Sequence, residues 1–255
     1  MKITKIGKND EEMSFMAEEC GVAYLNTLRR AIMDFVPTLA IEDVAVKLNS
    51  SVLYDEIIAH RLGLVPITTE PGSYSFRVDG ESGLGSELHM TLSAKGPGIV
   101  VAEEIKSKDS KAKPAQAKMP ITKLLKGQEL DLEMTAVLGR GIEHAKWSPG
   151  MLYYQYVPEI AVDNNAKELA ENIEKFPKDV VEKGKINKEK IIKLGLAEAC
   201  EGICPEAVAV TYNPEKIEIT VESWGQLPPA AMVEEGCKYI DEALDELAEA
   251  VKELK

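Results

Sequence analysis

The amino-acid sequence predicts an α+β fold in which the sheets are mainly antiparallel. Residues 88–95 and 130–138 alternate apolar and polar side chains, the period of two that is typical of half-buried strands. Near both ends of the chain the apolar residues instead recur three and four positions apart, as on one face of a helix. We therefore expect helices from the two ends of the chain and a β-rich region between them.

The composition favours a folded protein and disfavours several functions. Of its 255 residues, 45% are hydrophobic and 29% are charged, which is typical of a globular chain. The net charge of −13 repels phosphate backbones, so we expect no direct grip on nucleic acid. Neither a signal-peptide pattern nor a run of about 18 apolar residues occurs, which predicts a cytoplasmic protein without a membrane segment.

The first elements are a hairpin and a helix. Residues 3–6 and 13–15 alternate weakly around the turn-like residues 7–10, and a helical stripe then runs from about Cys20 until Pro37 ends it. The apolar members of this stripe are Leu25, Leu28, Ile32 and Phe35. Beside the stripe, Arg29 and Arg30 are forked donors for carboxylates of a partner, or they form salt bridges within the chain.

The middle of the chain mixes strands, a short helix and a loop. Residues 44–48 return to the period of two, and residues 53–62 predict a short helix that Gly63 closes. Ser107 to Lys118 is rich in Lys, Ala and Pro without periodicity, so we expect a mobile surface loop, with contact between its lysines and nucleic acid as the alternative. Helical spacing over Asp163 to Lys193 predicts a small inserted domain.

A strand at residues 217–221 and a break at Pro228 and Pro229 lead into one long final helix. Its apolar residues follow a heptad spacing for about three repeats. They are Val233, Cys237, Ile240, Leu244, Leu247, Val251 and Leu254. A helix of this length spans about 35 to 40 Å at roughly 1.5 Å per residue, so part of the stripe is expected to meet a second chain. The alternative is that it packs entirely on the first helical stripe within its own chain.

Four segments, in this order, resemble one known protein family. They are residues 26–30 with 36–41, residues 51–66, residues 141–149 and residues 222–225. The family contains the bacterial alpha subunit of DNA-directed RNA polymerase, the third-largest subunit of the eukaryotic RNA polymerases and their archaeal counterpart, which the chain resembles most. The resemblance covers nearly the whole chain.

The resemblance implies a domain plan and a set of partners. Residues 1–40 and 213–255 would form a discontinuous dimerisation domain, residues 41–160 an inserted β-rich domain, and residues 161–212 a ferredoxin-like insert. The implied function is a non-catalytic assembly subunit of the polymerase that pairs with subunit L. Further implied partners are the second-largest catalytic subunit and the small subunits N and P.

Polar residues in two of the matching segments are further interface candidates. His60 and Arg61 follow an apolar turn and are suited to orient a chain reversal against a neighbouring subunit. His144, Lys146 and Trp147 suggest an active site, but no nearby acid or nucleophile completes one. We therefore expect an ordered loop that docks at an interface, and no catalytic residues in this chain.

The cysteines indicate a cluster motif that has decayed. A bacterial ferredoxin run is Cys-x₂-Cys-x₂-Cys-x₃-Cys-Pro, and Cys200, Cys204 and Pro205 fit its end. Leu194 and Ala197 stand at the first two ligand positions, and neither side chain binds iron. Some archaeal members of the family carry iron-sulfur clusters, but we predict neither a cluster nor another metal here. Ligands borrowed from elsewhere and a redox-active cysteine pair remain as alternatives.

Two other functions compete with an assembly subunit. A ferredoxin-like electron carrier would require the complete ligand run that Leu194 and Ala197 interrupt. A free-standing DNA-binding regulator is disfavoured by the negative charge and by the lack of a recognisable reading helix.

Overall fold

The computed structural model describes residues 1–77 and 85–254. Residues 78–84, within the predicted β-rich domain, and Lys255, at the end of the predicted dimerisation domain, lie outside the described part. The chain divides into two compact units. The first unit comprises Met1–Lys5, Phe15–Gly21 and Tyr154–Ile219. The second unit comprises Ile6–Ser14, Val22–Tyr153 and Thr220–Lys255.

Helices and antiparallel strands are mixed along the chain, which confirms the predicted α+β class. The strands are β1 Lys2–Lys8, β2 Glu12–Glu18, β3 Thr38–Asn49, β4 Glu87–Lys95, β5 Gly98–Val101, β6 Lys106–Ser107, β7 Pro120–Leu124, β8 Glu129–Gly139, β9 Gly150–Val162, β10 Val181–Glu182, β11 Lys185–Ile186 and β12 Val208–Ser223. The helices are α1 Val22–Arg30, α2 Asp55–Gly63, α3 Leu169–Asn172, α4 Lys188–Lys193, α5 Ala197–Cys200 and α6 Pro229–Glu253. One π-helical turn, Ala31–Phe35, continues α1.

The second unit is built around an antiparallel sheet with the strand order β3-β8-β4-β6. Met90 of β4 faces Met134 of β8, and both side chains are buried, whereas His89 beside Met90 is exposed. This alternation puts one face of the sheet into the core, as the period of two predicts. Helix α2 covers that core with Ile58 and Leu62, which confirms the short helix predicted after residue 53.

The remaining strands form three further sheets. One four-stranded sheet has the order β1-β2-β12-β9, and two hairpin-like pairs are formed by β5 with β7 and by β10 with β11. The N-terminal hairpin predicted from residues 3–15 corresponds to β1 and β2, which are neighbours in the first of these sheets.

The first unit contains the predicted insert, and its helices are shorter than the periodicity suggests. Residues 163–193 form α3, α4 and two 3₁₀ turns around the β10-β11 pair. Pro177 and the positive φ of +77° at Gly184 interrupt any longer helix. Apolar side chains from these pieces, from α5 and from the adjoining parts of β9 and β12 share one buried cluster: Ile160, Leu169, Phe176, Val180, Ile186, Ile191, Ala197, Cys200, Cys204, Ala207 and Val208.

The segment Ser107–Lys118 forms a loop that follows the end of β6, as predicted, and hydrogen bonds tie it to residues that are distant in the sequence. Its mobility stays a prediction. Ala112 is 2% exposed, the backbone N–H of Ala115 donates to the carbonyl of Pro66 at 2.8 Å, and that of Thr68 donates to the carbonyl of Lys113 at 2.8 Å. The hydroxyl of Tyr74 also donates to Oδ2 of Asp109 at 2.7 Å. Within the second unit, this segment is therefore held in place by residues that are distant in the sequence.

Replacing Tyr74 by Phe is expected to loosen this segment. Burial and the bond to Asp109 raise the pKa of Tyr74 to about 12, and hydrogen bonds from Lys111 N–H and from Tyr74 lower the pKa of Asp109. The bond therefore weakens as the pH falls through the lowered pKa of Asp109 or rises above about 12. We expect amide exchange at residues 107–113 to accelerate roughly three- to tenfold at neutral pH, the effect of one such hydrogen bond.

Hydrogen exchange followed by mass spectrometry measures this change. Tyr54→Phe is the matched control, because the Tyr54 side chain is 79% exposed. Equal exchange in Tyr74→Phe and the control would contradict the assigned role of the hydroxyl.

Candidate partner interfaces

The first half of α6 packs on the helix from the other end of the sequence. A Cβ added at Gly236 would lie 2.7 Å from Cγ1 of Ile32, so the two backbones approach closely at this point. The rings of Phe35 and Tyr239 stack with their centres 4.3 Å apart and their planes at 9°. Val233, Cys237 and Ile240 are half-buried here. Because the backbones lie so close together, position 236 has no room for a side chain, although glycine is a poor helix former.

Among the residues that the structure describes, none covers the second half of α6. Every residue from Asp241 to Leu254 is exposed, although the apolar spacing continues without a break. The exposed fractions are 57% for Leu244, 61% for Leu247, 47% for Val251 and 86% for Leu254. We call these four residues the terminal ridge. A contiguous apolar ridge on an otherwise acidic helix is typical of a protein interface.

The stripe on α1 is already used within the chain. Leu25, Leu28 and Ile32 are 1%, 4% and 0% exposed, so they have almost no surface left for another molecule. Phe35 is half-buried by its stacking on Tyr239, an aromatic residue that the heptad pattern did not single out. The surface that remains on α1 includes Val22 and Tyr24, exposed by 36% and 43%.

The two arginines at the end of α1 make weak local contacts. Nε of Arg29 donates to Oδ1 of Asn26 at 3.1 Å, and Nε of Arg30 lies 3.9 Å from Oδ2 of Asp34 one turn further on. The Arg30 side chain is still 60% exposed. An exposed pair at this distance contributes little to stability, so most of the donor capacity of Arg30 faces solvent.

His60 and Arg61 lie in the last turn of α2; His60 is exposed, and Arg61 lines an apolar cavity. Nη2 of Arg61 donates to the carbonyl of Pro120 at 3.0 Å, which ties the helix to β7. A cavity of about 450 Å³ next to Arg61 is lined by Val52, Ile99 and Leu125, exposed by 73%, 61% and 53%. Sequence reasoning found the arginine but missed these apolar neighbours, because they come from three separate segments.

The loop at residues 141–149 is fixed by a buried tryptophan. Trp147 is 7% exposed, its Nε1 donates to the carbonyl of Val137 at 3.2 Å, and Oγ1 of Thr38 donates to the carbonyl of Trp147 at 2.6 Å. A Cβ added at Gly139 would lie 2.4 Å from the indole ring, so the ring fills the space that a side chain would need. Trp147 therefore orders the loop from within and leaves little indole surface for a partner.

The two polar residues of this loop differ in their surroundings. Nζ of Lys146 pairs with the carboxylate of Glu42, donates to the carbonyl of Ile41 at 3.1 Å and lies 4.3 Å from the centre of the Trp147 ring. His144 is exposed, and its Nδ1 accepts a hydrogen bond from the backbone N–H of Lys146 at 3.1 Å. Of this pair, only His144 is exposed, whereas the Lys146 side chain is 12% exposed.

The cysteines of the insert do not fit an iron-sulfur cluster. Cys200 and Cys204 are 0% and 1% exposed within an apolar cluster, and burial raises the pKa of the Cys200 thiol, which favours its neutral form. Within residues 1–77 and 85–254, no three His, Cys, Asp or Glu side chains are grouped to hold a metal. The burial of both sulfur atoms is that of packing residues.

Burial also raises the pKa of Cys237 on α6, to which the charge of Asp241 contributes. Among the residues that the structure describes, every helix is too short or too polar to span a lipid bilayer.

Residues 44–162 match the family described as the RNA polymerase Rpb3/RpoA insert domain. These residues contain most of the large antiparallel sheet and the loop of Trp147, so the fold is that of a class of RNA polymerase subunits. The DNA-directed RNA polymerase subunit Rpo3 of Thermococcus kodakarensis is 34% identical over 243 residues, which cover 91% of each chain. Subunit Rpo3 of Methanosarcina acetivorans is 33% identical over 265 residues, 100% of this chain and 99% of the other. The chain belongs to the Rpo3 family.

Proposed function

We propose that this chain is a non-catalytic assembly subunit of a DNA-dependent RNA polymerase and that it forms a heterodimer with the smaller subunit L. The observation that carries the proposal is the terminal ridge. Four large apolar side chains lie exposed on one helix while the other end of the same helix is packed within the chain. Such a helix is held in place by its own chain and is free to bind another along the ridge.

The domain plan follows from the same proposal. Residues 1–40 and 213–255 would form the dimerisation domain, residues 41–160 the inserted β-rich domain, and residues 161–212 the ferredoxin-like insert without a cluster. The family membership supports this plan, as does the packing of α6 on the π-helical turn Ala31–Phe35. The α6 contact joins the two ends of the sequence, as a discontinuous domain requires.

The other surfaces are assigned to the remaining partners. We propose that the apolar cavity next to Arg61 and the loop of His144 bind the second-largest catalytic subunit and the small subunits N and P. Exposed aliphatic side chains around a fixed arginine, as at Val52, Ile99 and Leu125, favour a protein partner over a nucleic acid. The net charge of −13 also favours a protein partner over a nucleic acid. We propose that the protein is cytoplasmic.

An electron carrier is not favoured as the alternative. Such a function needs four cluster ligands, and residues 194 and 197 are Leu and Ala. The two cysteines that remain are buried in the core of the insert.

Co-expression tests the proposed heterodimer. The chain is produced with subunit L from a relative and, separately, alone, and the mass of each purified species is measured by light scattering. We expect a stable one-to-one complex with L, whereas the chain alone should self-associate as its concentration rises and stay dispersed only in dilute solution, because the terminal ridge is then uncovered. A monodisperse monomer with no affinity for L would contradict the proposal.

A further inference from the structure

A groove in the second unit combines carboxylates with exposed apolar surface. It encloses about 550 Å³. Its apolar side is formed by Trp224 and Leu64, exposed by 44% and 46%, and its acidic side by Glu11, Glu12 and Glu222. Neither the terminal ridge nor the cavity next to Arg61 contributes to it.

The charge of this groove is not balanced from within. Glu222 accepts a hydrogen bond from the hydroxyl of Tyr153 at 3.2 Å, and Glu12 accepts one from the hydroxyl of Ser14 at 3.2 Å. Within the described ranges 1–77 and 85–254, none of the three glutamates forms a salt bridge. Lys146 also lines the groove, but its charge is already paired with Glu42. The groove therefore presents a negative potential to a ligand.

A buried glutamine side chain in the wall of the groove has an amide oxygen that accepts no hydrogen bond from the described residues. Gln226 is 4% exposed, and its Nε2 donates to the carbonyl of Ser148 at 3.2 Å, which fixes the orientation of the amide. Its Oε1 is buried and accepts no hydrogen bond from any described residue. An unpaired buried acceptor is uncommon in folded proteins, and a donor supplied by a ligand, with a small movement of the wall, would satisfy it.

We propose that this groove receives an arginine side chain presented by another subunit of the polymerase. A guanidinium group is planar, stacks on an indole, and carries five donors for carboxylates and amide oxygens. Trp224 supplies the indole, the glutamates supply the carboxylates, and Gln226 supplies the acceptor. The apolar stem of the arginine lies against Leu64. The proposal rests on the proposed function, because it takes the partner to be a polymerase subunit.

Site-specific cross-linking in the assembled polymerase tests the proposal. The photoreactive residue p-benzoylphenylalanine replaces Gln116, an exposed residue at the rim of the groove. The polymerase is purified through a different subunit, irradiated, and digested for mass spectrometry. We expect a cross-link to one segment of another subunit, within a few residues of an arginine.

Two sets of neutralising substitutions then test the charges. E11Q combined with E222Q is expected to lower the yield of this cross-link about fivefold at low salt, with a smaller ratio at high salt. The matched control is E168Q combined with E171Q, two exposed glutamates of the first unit, which should leave the yield unchanged.

The outcomes separate this proposal from the proposed function. If the polymerase contains the chain but the cross-linked segment has no arginine, or if E11Q with E222Q leaves the yield unchanged, the arginine site is refuted while the assembly function stands. A lysine at the contact would also refute the choice of arginine. If the purified polymerase lacks the chain, the proposed function fails and this proposal fails with it.

Discussion

Replacing Leu247 by Asp is expected to abolish binding of the small partner while the chain itself stays folded. Leu247 is 61% exposed on the terminal ridge, so its replacement removes little packing within the chain. In the complex, the new carboxylate would be buried without a counter-charge on a helix that is already acidic. We expect the dissociation constant for the partner to rise more than 100-fold and the free energy of unfolding of the lone chain to change by less than about 0.5 kcal/mol.

Calorimetric titration with the purified partner and thermal unfolding of the lone chain measure the two quantities. The matched control is Ile192→Asp, which changes a side chain of similar exposure, 53%, in the first unit. The control should bind the partner as the natural chain does. Partner binding by Leu247→Asp at natural strength would exclude the terminal ridge as the interface.

Replacing Trp147 by Ala is expected to destabilise the second unit by about 3 to 5 kcal/mol, the usual cost of deleting a large buried aromatic side chain. The indole fills the space above Gly139 and donates to the carbonyl of Val137. Its loss also removes the ring beside Nζ of Lys146. The loop of His144 and Lys146 should therefore lose its fixed conformation.

Chemical denaturation followed by circular dichroism measures this loss. Ile142→Ala is the control in the same loop, because Ile142 is 60% exposed and its truncation should cost little. If Trp147→Ala keeps the stability of the natural chain and loses only the binding of a partner, Trp147 acts at an interface and its structural role is wrong.

The elements that the sequence predicts well are those whose pattern is local. Strands β4 and β8 follow from alternation within their own residues, and α6 follows from its heptad spacing. Each of these patterns shows which face of one strand or helix is apolar, and that is enough to predict the element and the side that it buries.

The features that the sequence does not predict depend on distant partners. The segment Ser107–Lys118 forms hydrogen bonds with Pro66, Thr68 and Tyr74, and nothing in the composition of the segment indicates these partners. The burial of Trp147 comes from Thr38, Val137 and the space above Gly139. Both features are produced by tertiary packing.

The candidate interface shows the same division. The heptad stripe of α6 is continuous, so its spacing gives no sign that the cover ends after Ile240. The apolar spacing of Leu25 on α1 and of Ile32 on the π-helical turn predicts interface residues, but the same spacing is equally typical of residues buried within one chain. Spacing alone identifies an apolar face, but it does not show whether the same chain or a partner covers that face.

The contact between Ile32 and Gly236 has a consequence for how the protein is made. About 200 residues separate Ile32 from Gly236, so α6 leaves the ribosome long after α1. Until then the apolar face of α1 is without its cover and is exposed to aggregation or to chaperones, because long-range contacts of this kind form late. Docking of α6 buries that face and at the same moment orients the terminal ridge outwards. If the terminal ridge is the partner surface, as we propose, the chain becomes competent for pairing only once α6 has been synthesised and has docked.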